Sequence, residues 1–169
     1  GVYFKMIFVT VGTHEQQFNR LISCVDEMKE NGLIKEEVMI QTGFSTYIPK
    51  ACQWVKMLSY DEMQSYIRKA RIIITHGGPS SFVAPLQIGK VPIVVPRQKE
   101  FGEHVNNHQL DFCKAVEKRW GNIIVVEDIS KLQQTIREYD TQGQKIKGSL
   151  QSNNAAFCEK LEAIINEMV

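Results

Sequence analysis

Three stretches of this sequence place glycines, hydroxyls, imidazoles and amides where a hydrophobic run stops. In His76-Gly77-Gly78-Pro79-Ser80-Ser81, two glycines let the backbone approach a ligand closely, and Pro79 suits the first position of a helix. Ser80 and Ser81 put hydroxyls beside the amides that a helix start leaves unpaired, which is the chemistry of a diphosphate site. The competing reading is a plain chain turn. Pro85, seven residues beyond Gly78, removes one helix hydrogen bond at a cost of ~3 kcal/mol or more, so a kink that frees the Ser81 carbonyl is expected.

Val11-Gly12-Thr13-His14-Glu15 is either a tight turn or a backbone cradle for a phosphate or base, with Thr13 as a hydroxyl donor. It has neither the three glycines of a dinucleotide fingerprint nor the lysine of a P-loop, which disfavours a nicotinamide dehydrogenase and a P-loop NTPase. Glu15 would repel a bare phosphate beside it, so His14 is expected to face a hydroxyl. The third stretch runs from Pro96 to Gln109 and carries Arg97, Gln98, Lys99, Glu103, His104, Asn106, Asn107 and His108. With Val105, Gln109, Phe112, Cys113 and Val116 as the inward stripe of a helix, its first turn holds more donors and acceptors than a surface helix needs. That suits recognition of sugar hydroxyls, against the alternative of a solvated helix end. His104 and His108, four apart, are a weaker metal-ligand pair with no evident third ligand. Lys114, Lys118, Arg119 and Trp120 form a basic patch, either a solvated face or a contact for anionic lipid or an acidic partner.

The elements that must hold these stretches follow from periodicity. Met6–Val11 is a nearly continuous apolar run, as in a strand buried on both faces of a parallel sheet. Phe18, Leu21, Ile22, Val25 and Met28 recur at helical spacing, Thr13 with Gln16 reads as a capping box, and Asn31-Gly32 ends the helix. Further strands are expected at 38–41, 54–57, 71–75, 92–95 and 122–126, and helices at 61–69, 79–88, 103–119, 129–139 and 149–168. Thr141 to Gly148 reads as the one polar break. The alternation predicts an α/β domain, a Rossmann-like, mostly parallel sheet with helices on both faces, with ligands at the carboxyl ends of the strands. All 169 residues are expected to form a single domain. Gly1 to Lys5 precede a natural-looking start at Met6 and carry no weight in this reading.

Composition narrows the function classes. Twenty Lys and Arg against nineteen Asp and Glu leave a formal charge of +1, so no polybasic field points to nucleic acid. Four cysteines (Cys24, Cys52, Cys113, Cys158) stand far apart with no Cys-x-x-Cys pair and are read as reduced thiols. No apolar run reaches the ~18 residues of a membrane span.

Taken together, "FVTVG", "THEQQFNRL", "QTG" at Gln41 to Gly43, "THGGPSS" and "PRQKEFGEHVNNHQ" resemble the donor-binding subunits of glycosyltransferase family 28. The resemblance is to bacterial capsular and exopolysaccharide transferases and to the soluble subunit of the dolichol-linked N-acetylglucosaminyltransferase, and more remotely to the C-terminal domain of the lipid II-forming transferase. It covers about Met6 to Tyr139. It implies a GT-B C-terminal, donor-binding half without its acceptor half, binding a UDP-sugar and no other cofactor, with no metal required. It implies inverting transfer, of galactose in the capsular members, onto glucose carried on a polyprenyl diphosphate, forming a β-1,4 bond. The partner would be a membrane-anchored, acceptor-binding subunit that recruits a cytoplasmic chain to the inner face of the membrane. Carried onto this sequence, Gly77, Gly78, Pro79, Ser80 and Ser81, with His76, would hold the diphosphate. Gln98, Glu103, His104 and Asn107 would meet the donor sugar and ribose, and Gly12, Thr13 and Gly43 belong to the neighbouring loops. Where many relatives carry a ribose-gripping glutamate this chain has Ala84, and Glu103 is the expected substitute.

Inverting transfer needs a base for the acceptor hydroxyl, and His14 is the candidate, since imidazole titrates near neutrality. The alternative function is a non-catalytic subunit that enhances a transferase partner. The final helix, with Phe157, Leu161, Ile164 and Ile165 in one stripe, is a docking candidate unless that stripe packs back onto the domain.

Overall fold

Six short runs rich in Ile, Val and Phe form one sheet. The computed structural model describes residues 5–167, and within its last helix the side chains at 147–153 and 164–167 lie outside the description. The strands are β1 (Met6–Thr10), β2 (Glu37–Gln41), β3 (Gln53–Val55), β4 (Ile72–His76), β5 (Ile93–Val95) and β6 (Ile124–Val125). All pairings are parallel, in the order β3-β2-β1-β4-β5-β6. The helices are α1 (Asn19–Glu30), α2 (Tyr60–Lys69), α3 (Pro79–Gln87), α4 (His108–Trp120), α5 (Leu132–Arg137) and α6 (Tyr139–Glu167).

Side-chain alternation along the strands divides the core. Ile7, Val9, Ile72, Ile74, Ile93 and Val95 pack with Leu21, Ile22 and Val25 of α1 and Leu132 of α5 on one face. Met6, Phe8, Met39 and Ile73 turn to the other face against Ile67 of α2, and Val94 packs there with Phe82, Val83, Cys113, Phe157 and Leu161 of α3, α4 and α6. Each fully buried Ile, Leu or Phe contributes about 1.5–3 kcal/mol, so a sheet buried on both faces is what these apolar runs favour. The pairing of Thr10 with Gln41 and with Thr75, and of His76 with Val95, aligns the carboxyl ends of the four central strands. Chain direction across the sheet reverses between β1 and β4, and the crevice outside that switch point is where α/β sheets bind ligands.

Three local expectations are corrected. Thr13 and Gln16 cap nothing: α1 begins at Asn19. The Phe18 N–H is instead met by Ser45 Oγ at 2.9 Å and the Asn19 N–H by Gln17 Oε1 at 2.8 Å. The fourth helix starts at His108 rather than 103, and Val105, expected inward, is 69% exposed. The polar stretch 141–148 is helical, because α6 begins at Tyr139, whose ring is buried and whose hydroxyl donates to the Val91 carbonyl at 2.6 Å. That anchor and the packing of α6 on α3 outweigh the ~1 kcal/mol that each of Gly143 and Gly148 costs a helix. Helix α3 runs past Pro85 to Gln87, and Phe157 and Leu161 pack back onto the core, while Ile164 and Ile165 lie outside the described side chains.

Candidate functional site: a crevice at the sheet switch point

His76 ends β4 inside the protein, 6% exposed, with its ring pressed between two glycines. A Cβ on Gly12 would stand 2.3 Å from His76 Nε2, and one on Gly78 would stand 2.4 Å from His76 Cε1. Gly12 also has φ +74, in the left-handed region that disfavours any side chain. These glycines are therefore needed for close packing around one imidazole, a role the sequence reading did not assign.

The hydrogen bonds of that imidazole set its tautomer. The Gly78 N–H donates to Nδ1 at 3.2 Å, and Nε2 lies 2.8 Å from Ser81 Oγ. Burial, then the positive charge of Arg97, pushes the His76 pKa down from 6.5 to about 3, so the ring is neutral at physiological pH. With Nδ1 accepting, Nε2 carries the proton and donates to Ser81, whose own hydroxyl hydrogen is left to point elsewhere. Ser81 thus becomes an oriented donor at the first turn of α3. The Gly78 N–H is consumed internally and Pro79 has none, so this helix start offers the Ser80 amide and the two serine hydroxyls, not every amide that the sequence suggested. Ser80 is exposed and Ser81 half-buried. Gly77 is fixed by lack of room: a Cβ there would meet Cys113 Sγ at 2.9 Å.

Gln41, at the end of β2, locks the Gly12 loop. Its Oε1 accepts from the Thr10 hydroxyl at 2.6 Å and the Gly12 N–H at 3.1 Å, and its Nε2 donates to the Gly12 and Lys56 carbonyls, both at 3.0 Å. Gly43 sits against this loop, where a Cβ would approach the Gly12 carbonyl oxygen to 2.9 Å. Beyond Gly12, Thr13 is exposed and His14 half-buried. His14 Nε2 lies 2.9 Å from Gln16 Oε1, and its ring stacks on that of His104 with centroids 4.7 Å apart and planes 5° from parallel.

The segment after β5 is organised by two buried ions. Arg97 is fully buried beneath the crevice. Its guanidinium donates to the carbonyls of Val11 (2.8 Å), Gln16 (2.9 Å), Gln17 (3.2 Å) and Glu103 (3.2 Å), so it ties the loop after β1 to the loop after β5. Glu103 is also fully buried, and its carboxylate accepts from Arg20 Nε (2.9 Å), Arg20 Nη2 (3.0 Å) and the Gln98 N–H (3.1 Å). Glu103 is therefore not the expected grip on ribose: both oxygens are taken within the fold. Gln98 is likewise turned inward, donating to the Glu127 carbonyl at 2.9 Å. Asn107 accepts from the Lys99 N–H at 2.9 Å and is exposed. His104 precedes α4, so it does not share a helical face with His108, and burial foremost, then His14 and Arg97, lowers its pKa. Ala84 packs with the apolar cluster beside α2.

Of the expected residues, Gly12, Thr13, His14, Gly43, His76 through Ser81, His104 and Asn107 gather around the switch point, while Gln98 and Glu103 brace it from below. Arg97, Gln41 and Gln16 were missed in these roles. Arg97 carried no sequence signal for this role, because three of its four carbonyl partners lie 80, 81 and 86 residues away. Away from the crevice, Lys114 pairs with Glu127 at 3.3 Å and Arg119 lies over the Trp120 ring, which accounts for much of the basic patch.

A doubly wound parallel sheet with a hydroxyl-lined helix start at its switch point belongs to the α/β architectures that place their ligand crevice outside the strand ends. The chain belongs to the family described as the glycosyltransferase family 28 C-terminal domain, whose model matches residues 6–168. It is 32% identical to the human UDP-N-acetylglucosamine transferase subunit ALG13 over 123 residues, which are 68% of this chain and 10% of that protein. The mouse protein of the same name is 29% identical over 125 residues, with the same coverage of 68% and 10%. The chain thus spans about a tenth of the length of these relatives. Two solved glycosyltransferases share the fold. The calicheamicin glycosyltransferase CalG4 gives a TM-score of 0.57 at 13% identity, over 95% of this chain and 42% of that one. SnogD from Streptomyces nogalater gives 0.52 at 16%, over 95% and 43%.

Proposed function

We propose that this chain is a single-domain, donor-binding catalytic subunit of an inverting UDP-sugar glycosyltransferase, completed by a separate membrane-associated subunit that presents a lipid-linked acceptor. The observation that carries the reading is the His76–Ser81 turn: a buried imidazole holds the Ser81 hydroxyl at the first turn of α3, beside the switch-point crevice. As the bond from the anomeric carbon to the β-phosphate oxygen breaks, its electron pair leaves with UDP. Partial positive charge at the helix start and the serine hydroxyls lie where that negative charge grows. The acceptor hydroxyl oxygen forms the new bond from the opposite face, and its proton passes to His14.

The sugar we propose is galactose, transferred to a polyprenyl-diphosphate-linked glucose in capsular or exopolysaccharide synthesis, on the strength of the loop resemblances. A second reading, N-acetylglucosamine, is favoured by the 32% identity to a subunit named for UDP-N-acetylglucosamine. Among the described residues no helix is long and apolar enough to cross a membrane, which fits recruitment to the inner leaflet by a partner.

The test is calorimetric titration with UDP, UDP-galactose, UDP-N-acetylglucosamine and UDP-glucose. It is followed by transfer of each labelled sugar into the lipid fraction of membranes carrying the partner and lipid-linked glucose. Binding of UDP that weakens about tenfold in Ser81→Ala, the size of one hydrogen bond to a charged group, is expected. A folded protein that binds none of the four nucleotides refutes the reading.

A further inference from the structure

Two of the chain's four histidines, His14 and His104, stack on each other beside the crevice, and the geometry of this pair does more than fill space. We propose that Gln16 and His104 are positioning residues for His14: Gln16 fixes its tautomer and His104 fixes its ring plane, so that Nδ1 is the atom that receives the acceptor proton. The inference rests on the transferase reading and deepens it.

An amide oxygen can only accept, so a His14 Nε2 that is 2.9 Å from Gln16 Oε1 must carry the proton. The neutral ring then has its lone pair on Nδ1. Across the crevice, the His104 ring lies parallel at 4.7 Å, within the range of stacked aromatic pairs. His104 Nδ1 accepts from the Asn106 N–H at 3.4 Å, so that ring is also held by its own loop. Arg97 underlies both loops through the Gln16 and Glu103 carbonyls, which fixes the spacing of the stack.

The charged and titratable groups around the stack come from several elements, and burial together with His14, Arg97 and His108 lowers the pKa of His104. Arg97, His76 and His108 bear on these rings from the β5 loop, the end of β4 and the start of α4, and the Glu103 carboxylate is already neutralised by Arg20. Glu15, next in the chain, is exposed. When the acceptor oxygen bonds to the anomeric carbon and the bond to UDP breaks, the hydroxyl proton moves to His14 Nδ1. The resulting imidazolium keeps its Nε2–H on Gln16. A base whose tautomer and plane are set before the substrate arrives needs no reorganisation in the transition state.

The experiment is long-range proton–nitrogen NMR on the intact chain labelled at histidine nitrogen, with each signal assigned by its loss in a single variant. At pH 8 the expected His14 spectrum is one tautomer with a protonated Nε2 and an unprotonated Nδ1. Gln16→Leu should mix the tautomers and lower the transfer rate in partner-containing membranes about tenfold, with UDP affinity changed less than twofold. Gln16→Glu should move the acid limb of the kcat profile up by about one pH unit, since an adjacent carboxylate stabilises the imidazolium. His104→Ala should lower kcat, and His104→Phe, which keeps a flat ring, should restore most of it. A wild-type His14 protonated on Nδ1, an unchanged tautomer in Gln16→Leu, or full turnover by His14→Ala each overturns the proposal, and all three leave donor binding standing. Loss of the donor reading would appear separately, as absent UDP binding by wild-type protein.

Discussion

Arg97 Nη2 donates to the Val11 carbonyl at 2.8 Å, joining the end of β1 to a residue 86 positions later. With its other three carbonyl partners, this side chain clamps the two loops that form the crevice walls. Burial lowers its pKa to about 10, with Glu103 opposing the shift, so it stays charged through the physiological range. Arg97→Met keeps the volume but strands the carbonyls of Val11, Gln16, Gln17 and Glu103. We expect a loss of about 3 kcal/mol or more and a fall in Tm of roughly 6–12 °C, measured by calorimetry. Arg97→Lys should recover only part, because an ammonium lacks the planar fork that reaches several carbonyls at once.

Two glycines with similar backbones separate packing from conformation. Gly12 (φ +74) and Gly89 (φ +77) both lie in the left-handed region, but a Cβ at Gly89 meets nothing within 4 Å, while one at Gly12 strikes the His76 ring. Gly89→Ala should cost about 1–2 kcal/mol of stability and leave UDP affinity unchanged. Gly12→Ala must displace His76, release Ser81 and weaken UDP binding more than tenfold. Parallel titration of the two variants checks this, and equal effects would mean that the clash is not what matters at Gly12.

The features legible in the sequence are those that local chemistry dictates. Ile72 to Thr75 and Met6 to Thr10 announce themselves as buried strands because every position is apolar or pairs along the sheet, and Pro79 after two glycines marks a helix start. The segment 103–107 misled because its polar residues look like a helix face, whereas Glu103 is drawn inward by Arg20 and Asn107 holds the Lys99 N–H. The start of α6 was hidden for the opposite reason: Thr141, Gly143 and Gly148 read as a break, and the long-range bond from Tyr139 to Val91 together with packing on α3 accounts for a helix there. Glu103 shows the limit most clearly. A carboxylate in a polar loop reads as a ligand contact until its counter-ion Arg20, eighty-three residues earlier in the chain, is seen.

His76 makes stability depend on pH in a definite direction. Its pKa falls from 6.5 to about 3 on folding, so between those values the unfolded chain binds a proton that the folded one does not. Stability therefore rises with pH across that window, by up to about 1.4 kcal/mol per unit, and levels off above pH 7. His104, also lowered, adds to the same slope. His76→Asn, which keeps an acceptor for the Gly78 N–H, should be less stable than wild type at pH 7 but show a flatter profile from pH 6.5 to 4. Urea unfolding at successive pH values tests it, and an equally steep profile in the variant would assign the dependence to other groups.

Asp26 is fully buried in α1, yet it serves the loop that carries Gly43. Its two oxygens accept from the Tyr47 hydroxyl (2.7 Å) and from the N–H groups of Lys50 (2.9 Å), Ala51 (2.9 Å) and Cys52 (3.0 Å). Desolvation pulls the Asp26 pKa upward, but these four bonds outweigh it and the net shift is below the ordinary 3.8. A depressed carboxylate contributes stability that is complete above the unfolded value and is lost as pH falls through the folded one, so Asp26 acts on the acid side of the window set by His76. Asp26→Asn turns an amide NH2 toward at least one backbone N–H, which can only donate, and it should cost about 2–3 kcal/mol at pH 7. The loss should concentrate in the loop, seen as faster hydrogen exchange at the amides of Lys50, Ala51 and Cys52, while Ile40 and Val9 in the sheet exchange at a rate that tracks only global unfolding. Uniform acceleration at all five amides would show that Asp26 supports the whole fold rather than this loop.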